Sequence, residues 1–576
     1  MKSRKSYVAL VALVFIFFLI FKFFHVRERE NHLRLSLDQA IDTLDTGRSY
    51  SDDSLLVIAQ VAEPLYQYHY LKRPYEIEPL TAEKLPEISS DGLRVTVKIK
   101  PGLFYHRHPA LKEKRVLKSA DFKMALKRIA LKNFKSPARS IFSDLIVGFE
   151  DFDQKVNGDW QNLEKIEISG IKTPSDTEIV FELNRPEPLF AHYLAQSFLS
   201  PVPAEIVFFM KNDLSKTIVG TGPYEMTNVS SSRYELKRNL LFRQEFYPAS
   251  GDRYANIQNL LDSSRELLPF IDRITFNVGL KENDLWQKFL EDEIDLMVVP
   301  KTLISRIFNT NGEPNEDLTR KKIEIKHFPI LANRWLSFNM KRGLAAKHLK
   351  LRQAIAYGLN YEKYIADLSQ NTNLRSNSIL VPGIPGYSPH SELVFQFDPE
   401  KARGLVSELE KELGEIKLKY STRGNQSIHL KEAEFFKTNL ALIGLDLEVE
   451  VLTFTEFLQK GRAGELELFT DNWLFDFPEA ENIFQLLLST NSPGINKSGF
   501  HHPQFDKLFH ELSSIRSPEK RAQSLAQMEN LVWEALPWIP LMYESSFVLQ
   551  HPEIKNYRKS SIIRNYIKYL KISPED

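Results

Sequence analysis

The residue with the clearest claim to chemistry is Asp476, in the run Asp471-Asn472-Trp473-Leu474-Phe475-Asp476-Phe477-Pro478-Glu479-Ala480-Glu481-Asn482-Ile483-Phe484. Trp473, Phe475, Phe477 and Phe484 surround it in sequence with aromatic side chains. A carboxylate in that setting is costly to keep ionised unless it is paired. A bound ammonium would pair it, and the aromatic faces would add cation–π attraction. A second reading is local. Asp ahead of Pro and Glu is a helix-start signal, which would make Asp476 the cap of a helix beginning near Pro478.

Other candidates carry less. Gly220-Thr221-Gly222-Pro223-Tyr224 is glycine-rich, but no Lys-Ser/Thr pair follows, so it reads as a tight structural turn and not a phosphate loop. His501-His502 lack a ligand partner at metal spacing and are assigned to a surface loop, as are His106 and His108. No Ser/His/Asp motif, paired-carboxylate motif or metal cluster is readable, so neither an enzyme nor a cofactor is expected.

The elements that must position Asp476 follow from periodicity. Leu466 to Thr470 alternates apolar and polar residues, as a half-buried strand does. Val95, Val97 and Ile99 share one face of a strand, and Ile168 to Leu183 reads as a hairpin. Tyr234–Asn239 and Ile271–Val278 read as strands, Leu351–Leu359 as a helix. Asp398 and Ser517 each precede a proline, as N-caps with Pro at the first helical position. Ala433, Phe436, Leu440 and Ile443 lie on one helical face ahead of Gly444, placed as its C-cap. Strands and helices interleave throughout, giving an α/β architecture.

At 576 residues the chain is long enough for two to four domains. It is 43% hydrophobic and 26% charged with a formal net charge of zero, so no basic surface argues for nucleic acid. The absence of cysteine excludes disulfides, thiol catalysis and a Cys-linked lipid. Lys2, Arg4 and Lys5 precede an apolar run from Tyr7 to Phe24, broken only by Lys22. About 18 residues at about 1.5 Å each span about 27 Å, close to a bilayer's hydrocarbon thickness. The run ends without small residues to cut, so residues 1–30 are expected to form an uncleaved single-pass anchor with a short cytoplasmic start.

Several stretches, in this order, resemble the oligopeptide/dipeptide-binding family of large solute-binding proteins of ABC importers. They are Gly220–Tyr224, Arg352–Asn360, Phe397–Ala402, Leu440–Val449 and Pro537–Tyr543. Trp473 and Asp476 fall in register with that family's Gly-Trp-x-x-Asp-Tyr-Pro-Asp-Pro segment, while Asn472 replaces its glycine and Glu479-Ala480 its Asp-Pro.

The resemblance implies a two-lobed periplasmic-binding-protein-like (type II) fold with an extra domain inserted in the first lobe. Lobe I would comprise residues 50–72, 166–283 and 537–576, with the inserted domain at 73–165 and lobe II at 284–536. It implies that Asp476 pairs a peptide's ammonium, and that the segment Asn472, Trp473, Leu474 and Phe475 lies along the peptide backbone. Glu63 and Tyr66 resemble the first-lobe edge of the cleft, with packing as the equal alternative. Arg462 lies near where some relatives hold a basic residue for the peptide carboxylate, the alternative being a solvated loop arginine. The implied function is monomeric capture of peptides or another small solute for ABC permease subunits. The chain would be tethered to a bacterial inner membrane, with its bulk in the periplasm. A ligand sensor or scaffold that kept the fold without transport is the alternative.

Overall fold

The computed structural model describes residues 31–309, 312–389, 395–515 and 517–573. The N-terminal apolar run therefore lies outside the described residues. Among those described, no helix is long and apolar enough to cross a membrane.

One half of the molecule is built on two four-stranded sheets. In the first, His32–Leu37 pairs in parallel with Arg273–Val278, followed by Arg233–Arg238 and Tyr224–Val229 antiparallel. Its core joins Leu33, Leu35 and Val57 to Phe276 and to Val548, Ile554, Tyr557, Ile567 and Leu570. The second sheet orders Glu87–Ile88, Arg94–Lys98, Glu178–Glu182 and Ile171–Ser175, all antiparallel. Val95, Val97 and Ile99 each fall to 1% exposure there, as their alternation requires. The helix Ser119–Ala130 packs on this sheet through Phe122, Ala125, Leu126 and Ile129.

The other half is a seven-stranded mixed sheet. Its spine is the antiparallel pair Glu324–Phe338 and Trp538–Gln550. The first of these spans about 50 Å at about 3.3 Å per residue. Their register shifts between Pro329 and Asn333 and again between Arg334 and Trp335. Such bulges bend a ladder and increase its twist. Leu468–Leu474 joins the free side of Glu324–Phe338, then Lys417–Ser421 and Asp446–Glu450 follow. The caps behave as their chemistry dictates: Asp398 and Ser517 accept the backbone N–H of Lys401 and Lys520.

Gly220 and Gly222 bring their loop onto the end of the helix Asp52–Val61, where Gly222 N–H donates to Val61 O at 2.9 Å. A Cβ on Gly220 would stand 2.0 Å from that carbonyl oxygen, so the turn is structural and admits no side chain.

Three local expectations need correcting. Asp476 caps no helix: the helix it was expected to open begins at Glu481, with Ala480 in the cap position. The strand read as half-buried has Leu468, Phe469, Thr470 and Asp471 all buried, because it lies inside the sheet with packing on both faces. His106 is not at the surface. It is 6% exposed, donates its backbone N–H to Gly220 O, and burial holds its imidazole down at about 4.

Candidate functional site

The strand Leu468–Leu474 pairs along its whole length with Glu324–Phe338 on one side. On the other side Lys417–Ser421 meets it only at Leu468 and Phe469. Beyond Phe469 this edge has no strand partner among the described residues; Thr470 and Asp471 are buried there, and Asn472 and Leu474 reach the cavities, where an unpaired edge presents backbone donors and acceptors to whatever lies beside it. A cleft of about 980 Å³ opens here, near the upper end for small-molecule sites, walled by Leu474, Phe475, Asp476 and Asn482 from the larger sheet's half. Tyr50, Tyr193, Gln196 and Arg564 face them from the opposite half. A second chamber of about 420 Å³ shares Leu474, Asp52, Ser561 and Arg564 with the cleft and is bounded by Asn472.

Asp476 lies where the strand leaves the sheet. Its backbone N–H donates to Asn482 Oδ1 at 3.3 Å, and its carbonyl accepts from Gln196 Nε2 at 3.5 Å. Much of the residue faces the open cleft, yet walls on both sides crowd the carboxylate. Burial therefore raises its pKa, while the side chains of Asn482 and Tyr50 and the charge of Arg564 pull the other way. No cation among the described residues stands within ion-pair distance of it. Arg564, the guanidinium nearest in effect, is held by Asp52 at 2.7 Å.

Trp473 donates its indole N–H to Asn482 Oδ1 at 2.6 Å. Phe475 is 3% exposed and packs in the core that joins the two halves, with Tyr68, Trp335 and Trp538. Leu474 is exposed at the cleft mouth. Asn472 is half-buried, its N–H engaged by Asp471 Oδ1 at 3.0 Å, and its own Oδ1 is buried without a partner.

Beside Asp476 runs a polar contact between the halves. Glu479 Oε1 lies 3.4 Å from His192 Nε2, whose other ring nitrogen meets the Tyr68 hydroxyl at 3.1 Å. Arg521 joins Glu479 at 2.9 Å and Glu481 at 2.7 Å. Burial and the neighbouring Glu481 push Glu479 up to about 7 against the pull of Arg521. Burial, then Arg521, holds His192 down at about 4.

The remaining sequence candidates sit elsewhere. Glu63 is 2% exposed and taken by Arg243 at 2.7 and 3.0 Å and by the Thr221 hydroxyl at 3.0 Å. Tyr66 is fully buried and donates to Lys84 O at 3.2 Å. Both line a small pocket of about 40 Å³ that also touches Asp476. Arg462 stands exposed in the last turn of the helix Phe454–Ala463, not in a loop, and outside the walls of these cavities. Tyr50 and Asn482 were not singled out from the sequence. Tyr50 carries no local signal, whereas Asn482 lies one helical turn past a proline and could have been suspected as a side-chain anchor.

Two lobes meeting at a cleft, with a strand edge and an unpaired carboxylate on its wall, define a solute-binding architecture. The chain belongs to the bacterial extracellular solute-binding proteins, family 5, which it matches in the middle region over residues 76–494. It is 23% identical over 515 residues to the dipeptide-binding protein of Escherichia coli K12, covering 86% of each chain. It is 22% identical to heme-binding protein A of Haemophilus influenzae, covering 89% of this chain and 86% of that one. Among solved structures, the periplasmic binding protein DppA of Helicobacter pylori in complex with the peptide STSA superposes with a TM-score of 0.65. It is 21% identical and covers 94% of this chain and 98% of that one. The two-lobed fold expected from the sequence is thus the observed one.

Proposed function

We propose that this protein captures short peptides by their free ammonium at Asp476, aligns their backbone on the open edge from Asn472 to Leu474, and delivers them to an ABC importer. The observation that carries the reading is an unpaired carboxylate beside an unpaired strand edge in a cleft of peptide size. Charge pairing supplies affinity at one end, and main-chain pairing supplies tolerance of side chains along the rest. The relatives named for dipeptides, and the one solved with a peptide, support a peptide ligand. The protein acts as a monomer outside the cytoplasm, tethered by residues 1–30. N-terminal sequencing of the mature protein that began beyond Phe24 would remove the tether.

The test of the ligand is native mass spectrometry of the purified chain, followed by calorimetry with peptides before and after N-acetylation. The reading requires bound species of peptide mass and a loss of affinity on acetylation. A co-purified ligand without a primary amine, or acetylated peptides bound as tightly as free ones, would sink it.

A further inference from the structure

Asp476 does not hold its own position. Asn482 lies under it in the short helix Glu481–Phe484 at 1% exposure. Its Oδ1 accepts two N–H groups, the Trp473 indole at 2.6 Å and the Asp476 backbone at 3.3 Å. An amide oxygen that takes two donors fixes which way the side chain faces, because the NH₂ group must then lie on the other side. That NH₂ is buried and no described residue lies within hydrogen-bond limits of it. It stands beside the Asp476 carboxylate, where it favours the ionised form against burial. A buried donor left empty is costly, so the N–H favours the ionised carboxylate beside it as an acceptor.

We infer that Asn482 is the positioning residue of the binding site. It locks the Trp473 indole, fixes the backbone at Asp476, and keeps the Asp476 carboxylate ionised and turned to receive an ammonium. This rests on the peptide-capture reading above. The groups that face Asp476 from other elements are the Tyr50 hydroxyl, the Tyr193 hydroxyl and the Arg564 guanidinium. Of these only Arg564 is charged at neutral pH, and Asp52 already holds it.

The experiment measures trialanine binding by calorimetry on the full chain between about pH 4 and pH 8, a range that brackets a raised carboxylate pKa. Wild type should lose affinity on the acid side as Asp476 takes up a proton. Asn482→Asp keeps an accepting oxygen for the Trp473 indole and the Asp476 backbone but replaces the NH₂ by a second carboxylate oxygen. Two carboxylates sharing one site raise one of the two pKa values, so its acid limb should move up by about one pH unit or more. Asn482→Leu should bind about tenfold more weakly at neutral pH. A merely structural role would lower affinity without moving the acid limb, so an unmoved limb in Asn482→Asp overturns the inference, whether or not Asn482→Leu folds. Wild-type affinity in both variants overturns it equally. Asp476→Asn separates the two levels: if it weakens binding and flattens the acid limb while the Asn482 variants behave as wild type, only the role of Asn482 fails. If Asp476→Asn binds as wild type does, or wild type binds no trialanine at any pH, the peptide-capture reading fails with it.

Discussion

Asp471 and Asp476 lie five positions apart in one stretch of chain, and their surroundings could hardly differ more. Asp471 is 7% exposed and has two cations, Lys497 at 2.8 Å and Arg423 at 3.2 Å. Asp476 has none among the described residues and looks into the cleft. Just before Asp471, Thr470 donates to Glu432 at 2.7 Å, and Arg334 satisfies the same carboxylate at 2.8 Å. Where the strand is sheathed by the sheet, each acid is neutralised by residues of the same half. Where it emerges, the pairing stops. The chain can pair acids along this strand and has left one unpaired, which is the arrangement the proposed ammonium site requires.

The largest stability effect should come from breaking the sheathed end. Glu432 is fully buried, and Arg334 with its hydrogen bonds draws its pKa below the usual value although burial pushes upward. Removing one partner of a buried pair costs about 3–5 kcal/mol, so Glu432→Ala should show that loss in urea unfolding. Because the folded-state pKa is depressed, the contribution is present above the ordinary Glu range and is lost as pH falls through the folded value. Wild type should therefore lose stability on acidification over a range where Glu432→Ala changes less.

Asp476→Asn should invert that pattern. Loss of a desolvated ammonium partner costs about 2–5 kcal/mol, which is roughly 30- to 4,000-fold in Kd, with the melting temperature unmoved. Asp471→Asn should do the reverse, leaving affinity close to wild type and lowering stability by about 1–3 kcal/mol. Equal effects of the two on binding would erase the distinction between them.

A smaller effect belongs to Glu479. Its folded pKa of about 7 lies above the ordinary 4.5, so the native state binds the extra proton and stability falls as pH rises between those values. His192, held at about 4 from 6.5, works oppositely, gaining stability as pH rises over its own window. The two offset each other up to about pH 6.5, and only the Glu479 loss remains above it. Glu479→Gln should remove that loss, a gain at pH 8 of at most about 3.5 kcal/mol at about 1.4 kcal/mol per pKa unit. An unchanged melting temperature at pH 8 would show that Arg521 fully compensates the charge. The smallest effect is expected at Arg462. Exposed and outside the cleft, it should change affinity by no more than about 0.5 kcal/mol when replaced by alanine.

The sequence revealed what depends on near neighbours. The alternation at Val95, Val97 and Ile99, the proline-marked caps at Asp398 and Ser517, and the side-chain-free turn at Gly220 all follow from spacing alone. So did Asp476, though for half a reason: its aromatic setting was legible, while the helix-start signal misled. Glu479, the acid of that signal, is instead bound by Arg521, some forty residues on, and the helix starts only at Glu481. His106 read as surface, and the upper end of the cleft strand as half-buried, because their covering layers come from distant segments. Asn482 escaped notice because an asparagine in a helix turn is ordinary until its two donors are seen.

The route of the chain through the first half also carries a temporal consequence. The sheet that carries Arg94–Lys98 draws its core from residues 65 to 219 and can close early in synthesis. The core under His32–Leu37 closes later, because it also takes in Tyr557, Ile567 and Leu570 from the end of the chain. At about 5–20 residues per second, that strand waits roughly 30 to 110 s for its last neighbours. The parallel partner Arg273–Val278 arrives sooner, so for the rest of the wait it is the apolar row Leu33, Leu35 and Leu37 that lies incompletely covered and open to aggregation.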